Sequence, residues 1–168
     1  LRAGGLVLFF RHASTDFSQN DTRSTGPTDC TNQRNLLDKG RAEARAIGAS
    51  LRTLAIPFDT VLASPTCRTT ETAMLIFGRA TASTEVRGGP LADSRERYAD
   101  LLRLFRERRA MGANTAIVSH GNPFYAVAGP PYLAEGEAAV VRPAAGDFEV
   151  IARIRLEQWL TLEEAARR

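Results

Sequence analysis

A chain of 168 residues with 43% hydrophobic and 24% charged residues can bury a sizeable core and is neither disordered nor fibrous in composition. Its formal net charge of +3 rests on arginine, Lys39 being the only lysine. No dense basic run interleaves with aromatics, which excludes nucleic acid as the expected partner and favours small anions that guanidinium groups grip. No apolar run of about 18 residues is present, so no membrane-spanning helix is expected.

One domain is expected over residues 1–168. Residues 5–10 of "GLVLFFRHAST" read as a short buried strand that stops abruptly at Arg11 and His12. Residues 13–35 are polar and rich in turn formers, a long surface loop of the kind that often carries function. Ala44, Ile47, Leu51 and Leu54 recur at helical spacing, with Asp38 as N-cap and Pro57 beyond the end. "DTVLAS", 59–64, is a second strand. Ser64 and Pro65 then suit the cap and first position of a helix ending near Gly78.

A weak apolar segment follows at 82–87. Residues 94–111 predict an amphipathic helix with Tyr98, Leu101, Leu102 and Phe105 on one face. "NTAIVS", 114–119, is the third clear strand, followed by a short helix at 121–129 that Pro130-Pro131 breaks. "EAAVVRP" and "FEVIARIRL" read as a closing hairpin, with a frayed helix or tail at 161–168. Strands alternating with helices predict a three-layer α/β/α sandwich with a mostly parallel central sheet and a C-terminal β-hairpin.

The chain holds two histidines, and each follows a predicted strand: His12 one residue after the first, His120 directly after the third. Parallel strands would bring both to one carboxyl edge, where ligands of such sheets bind. Arg11 sits beside His12, and Arg68 lies in the first turn of the helix that leaves the second strand. Two guanidinium groups and a helix N-terminus can hold a phosphoryl group. Positive surroundings keep an imidazole neutral and able to attack phosphorus. A carboxylic acid is still required to protonate the leaving oxygen.

"RHAST", 11–15, "SPTCRTTETA", 64–73, and "IVSHGN", 117–122, with "RNLLDKGRAEARAIG" between the first two, resemble in order the motifs of the histidine phosphatase superfamily, also called phosphoglycerate-mutase-like. The resemblance implies a three-layer α/β fold, no metal and no cofactor. It makes His12 the nucleophile and His120 the second active-site histidine. Arg11, Arg68, Thr15, Ser18 and Gly121 become phosphate-binding residues. Ala13 stands where the family has Gly, Ser18 where many members have Asn, and Gly121 where another branch has an acid.

For the acid, Asp93 in "PLAD" comes first, Glu137 in "AEGEAAVV" second and Glu135 third; Asp93 equally suits a helix N-cap and Glu137 a strand-start charge. Cys30 and Cys67 are either free thiols or a bridge tying the long loop to the phosphate-binding helix. The sequence begins at Leu1, not Met, which leaves room for a removed leader; the location is open between exported or periplasmic and cytoplasmic. The expected function is phosphomonoester hydrolysis on a small phosphorylated substrate, with a non-catalytic phosphoryl-binding module or a phosphomutase as alternatives. Metal hydrolysis is disfavoured because no His-x-His or His-Glu-x-x-His spacing occurs.

Overall fold

The computed structural model describes residues 1–89 and 95–166. Its centre is one six-stranded sheet: β1 (Val7–Arg11), β2 (Phe58–Ala63), β3 (Thr81–Ala82), β4 (Asn114–Ser119), β5 (Ala138–Ala144) and β6 (Asp147–Ile154), in the order β3-β2-β4-β1-β5-β6. β3, β2, β4 and β1 run parallel, while β5 pairs antiparallel with β1 and with β6 as a hairpin. The helices are α1 (Asp38–Thr53), α2 (Cys67–Phe77), α3 (Ala99–Arg106), α4 (Gly121–Ala128) and α5 (Leu156–Ala166).

β1 explains the layering. Its apolar run has no polar face because both faces of a central strand are covered. Leu8 and Phe10 point into one core with Ile47 of α1, Ile76 of α2 and Trp159 of α5. Val7 and Phe9 point into the other, with Leu101 and Phe105 of α3 and Phe124 of α4. The expected three-layer sandwich with its mostly parallel sheet and closing hairpin is what forms.

Several boundaries differ from the sequence expectation. Leu37, not Asp38, precedes α1, and Asp38 lies in its first turn. α2 begins at Cys67 rather than Pro65. The Ser64 hydroxyl is spent on His120, and the Cys67 N–H instead donates to Gln33 Oε1 of the long loop at 3.0 Å. The weak segment at 82–87 becomes the end of β3 and a 3-10 turn at Thr84–Val86. The helix expected over 94–111 is a 3-10 turn at Arg95–Tyr98 followed by α3, ending at Arg106. Gly129, with φ of 77°, closes α4 ahead of the two prolines. The segment expected as a frayed helix or tail is, as far as Ala166, the end of α5, whose Trp159 is completely buried against Phe10.

α1 and α2 pack with unusually little clearance. A Cβ on Gly48 would lie 2.4 Å from the Ile76 carbonyl oxygen, and one on Gly40 would lie 2.1 Å from the Ser14 carbonyl oxygen. α1 therefore bears directly on α2 and on the backbone just after His12.

Candidate active site

The parallel pairing of β1 with β4 places Arg11 opposite Ser119. The His12 N–H extends the ladder, donating to the Ser119 carbonyl at 2.9 Å. His12 and His120 thus leave neighbouring strands at the same level, their rings edge to face with centroids 5.4 Å apart. His12 Nδ1 lies 3.0 Å from the Ala13 carbonyl oxygen. A carbonyl only accepts, so Nδ1 carries the proton and Nε2 of the neutral ring keeps its lone pair. His120 Nε2 shares a hydrogen bond of 2.9 Å with Ser64 Oγ at the end of β2.

Both rings resist protonation. Burial is the main cause for His12, whose pKa falls to about 3, and the charges of Arg68, Arg11 and Arg34 add to it. His120 is held well below its ordinary value by burial, then by His12 and the same three arginines.

These residues line a cavity of about 620 Å³ together with Phe17, Asp21, Arg34, Arg87, Asn122 and Tyr132. Arg11 is fixed by donation from Nη1 to the Leu133 carbonyl at 2.8 Å and lies 5.2 Å over the Tyr132 ring. Arg68, in the first turn of α2, makes a two-pronged ion pair with Asp21: Nη1 to Oδ1 at 3.0 Å and Nη2 to Oδ2 at 2.9 Å. Burial would raise the Asp21 pKa, but hydrogen bonds from the Arg34 N–H and the Arg68 guanidinium prevail and lower it. Asp21 is therefore a carboxylate at neutral pH and poorly suited to donate a proton. The Nε atoms of Arg11, Arg34 and Arg68 are all buried without a protein acceptor. Among the described residues, no group of three or more His, Cys, Asp and Glu is placed to hold a metal ion.

The long loop reaches this cavity because it is tied at several points. Cys30 and Cys67 form a disulfide, joining the loop to the residue before Arg68. The buried Gln33 spans the same junction, donating to the Gly26 and Pro27 carbonyls while accepting from the Cys67 N–H.

The stretch that carries Arg11, His12 and Arg68 matches a known sequence pattern. The model of the histidine phosphatase superfamily (branch 1) matches residues 7–87, from β1 through the helix bearing Arg68. Residues 7–87 thus carry the sequence pattern of the histidine phosphatase superfamily. No curated relative matches it. Solved structures share the fold, including the half that holds His120. The protein histidine phosphatase SixA complexed with tungstate is 20% identical, with a TM-score of 0.63, covering 91% of this chain and 98% of that one. A phosphoserine phosphatase mutant from Entamoeba histolytica in complex with phosphoserine is 13% identical, with a TM-score of 0.65, covering 90% and 98%. A mycobacterial glucosyl-3-phosphoglycerate phosphatase is 15% identical, with a TM-score of 0.57, covering 82% and 89%.

Within this histidine phosphatase fold the expected site residues separate into two groups. Arg11, His12, Arg68, His120 and Gly121 all line the cavity. Gly121 has a steric role there, since a Cβ would lie 2.1 Å from the Tyr132 ring. Thr15 and Ser18 do not line it. The buried Thr15 hydroxyl donates to Glu135 Oε1 at 2.6 Å, and the exposed Ser18 hydroxyl donates to Asp16 Oδ1 at 2.7 Å.

Glu137 is not at the cavity either. Its carboxylate accepts from the Ala134 N–H at 2.7 Å and closes the turn into β5. Glu135 lies behind the histidine, 3.8 Å from Nδ1 rather than on the Nε2 side, and is shared among His12, Arg11 and Thr15. Asp93 lies outside the described residues. Sequence reasoning missed Asp21, Arg34 and Tyr132. Their one sequence signal is membership of the polar loop 13–35 or of the segment 121–137.

Proposed function

We propose that this chain is a phosphomonoester hydrolase working through a phosphohistidine at His12. The observation that carries the reading is the Nδ1–H bond of His12 to the Ala13 carbonyl, which leaves Nε2 unprotonated in a cavity shared with Arg11, Arg68 and His120. Fold relatives that bind tungstate or phosphoserine support a phosphoryl-sized ligand here. In the first step Nε2 attacks phosphorus, the P–O ester bond breaks and the leaving oxygen takes a proton from a carboxylic acid. In the second, that carboxylate deprotonates water, which attacks phosphorus; the P–N bond breaks, and inorganic phosphate and neutral His12 are released. Arg11, Arg68 and His120 stabilise charge on the non-bridging oxygens.

With Glu137 and Glu135 engaged elsewhere and Asp21 ionised, Asp93 is the acid assigned to this step. The test is hydrolysis of an aryl phosphate with chelator present, at mildly acidic and neutral pH. His12→Ala is expected to lower turnover about 10³-fold or more. Asp93→Asn is expected to lose about 10²-fold or more on esters with poor leaving groups, while Glu137→Gln loses little. A folded wild type that binds phosphate without turning over any phosphomonoester would favour the phosphoryl-binding module instead.

A further inference from the structure

One phosphoryl group does not use every arginine in this cavity. Four arginines line it, Arg11, Arg34, Arg68 and Arg87, against Asp21 as the one carboxylate among the described lining residues. Arg11 and Arg68 suffice for the phosphoryl group. Arg34 is held in place, its guanidinium 4.7 Å over the Phe17 ring and its backbone N–H on Asp21 Oδ1 at 2.7 Å. Neither Arg34 nor Arg87 forms an ion pair among the described residues. Arg87 comes from a separate element, just after the 3-10 turn that follows β3, and is exposed. The neighbouring Gly88 packs against the His120 ring, where a Cβ would lie 2.7 Å from Cδ2. The 620 Å³ volume falls within the range of about 300–1,000 Å³ typical of pockets that enclose whole small molecules.

We infer that the preferred substrate carries a second anionic group, phosphate or carboxylate, which Arg34 and Arg87 hold while Arg11 and Arg68 hold the phosphoryl group under attack. This rests on the phosphatase reading above and deepens it by naming the substrate class. Guanidinium groups in two-pronged geometry suit either anion.

The test compares three substrates on one carbon skeleton at fixed ionic strength: n-propyl phosphate, 3-(phosphonooxy)propanoate and propane-1,3-diyl bisphosphate. Wild-type kcat/KM is expected to be about tenfold or more higher for at least one two-anion substrate, and which one identifies the second anion. Arg34→Gln and Arg87→Gln, singly and together, are expected to shrink that ratio, the double variant to less than about threefold. Equal rates on all three substrates would overturn the inference. So would a loss in the variants that falls evenly on one-anion and two-anion substrates, since the arginines would then only raise the local potential.

Binding of propylphosphonate and propane-1,3-diphosphonate, measured calorimetrically, separates this inference from the phosphatase reading. If no substrate turns over, a preference for the diphosphonate that depends on Arg34 and Arg87 upholds the second-anion site while hydrolysis fails. Without that preference both fall.

Discussion

The cavity has two walls built by different means. One is made of strand ends: His12 and His120 extend a parallel ladder, and burial fixes both rings. The other is the loop between β1 and α1, which brings Phe17, Asp21 and Arg34 to the cavity without a single long strand or helix. That loop is held by one disulfide, a buried glutamine and short side-chain-to-backbone bonds. Atoms that must be placed to a fraction of an ångström come from the sheet, where backbone bonds determine their position. Groups on the loop, Arg34 among them, lie where they can select among ligands, and the loop can change length and sequence without disturbing the ladder.

The sharpest way to break this division is Arg68→Ala, because Arg68 stands where the two walls meet, on α2 but paired to the loop through Asp21. A loss of about 10²–10³-fold in kcat is expected, measured on an aryl phosphate. A change confined to KM would move Arg68 from transition-state stabilisation to simple binding.

Removing the loop's covalent tie comes next. Cys30→Ser with Cys67→Ser should cost roughly 2–4 kcal/mol of folding stability, since the bridge closes a sequence separation of 37 residues. Urea unfolding with and without reductant checks it; a wild type indifferent to reductant would show that the loop is held by its hydrogen bonds alone.

The strand-end wall predicts an acid sensitivity of its own. His12 and His120 take up protons in the unfolded chain near pH 6.5 but resist them in the fold, His12 down to about 3. Between those values the unfolded state binds more protons, so stability is full above pH 6.5 and falls as the pH drops. His12 contributes a slope approaching roughly 1.4 kcal/mol per pH unit below pH 6.5, and His120 adds to it in the same direction. Unfolding midpoints of the ligand-free protein at pH 7.5 and 5.0 should differ accordingly, and His12→Gln should flatten the difference. An unchanged slope in that variant would mean other groups set the acid limb.

The smallest effect concerns Asp21, whose carboxylate competes with an anion for Arg68. Asp21→Asn is expected to tighten inhibition by inorganic phosphate about two- to fivefold. Weaker inhibition would make Asp21 a residue that positions Arg68 instead.

The strand-end wall was legible in the sequence and the loop wall was not. An apolar run ending in Arg11-His12, and another ending at His120, announce themselves by continuous apolar character and abrupt termination. Asp21 and Arg34 sit in a polar segment without period, and only tertiary contacts single them out. The start of α2 was misplaced because Ser64 serves His120 rather than the helix, and a cap from Gln33, 34 positions away, leaves no local trace. Thr15 and Ser18 were assigned by family resemblance, yet their hydroxyls are used up by Glu135 and Asp16. The last helix read as a frayed helix or tail because the value of Trp159 lies in stacking on Phe10, a partner from the other end of the chain.

α1 contributes no residue to the cavity lining, yet its two close-packed glycines touch both sides of the chemistry: Gly40 the backbone following His12, Gly48 the helix that bears Arg68. It works as a gauge block between nucleophile and phosphate ligand. The thickness of that block is set by two missing methyl groups. The spacing of the reacting groups could therefore be altered from a buried helix interface, with every residue of the pocket left as it is.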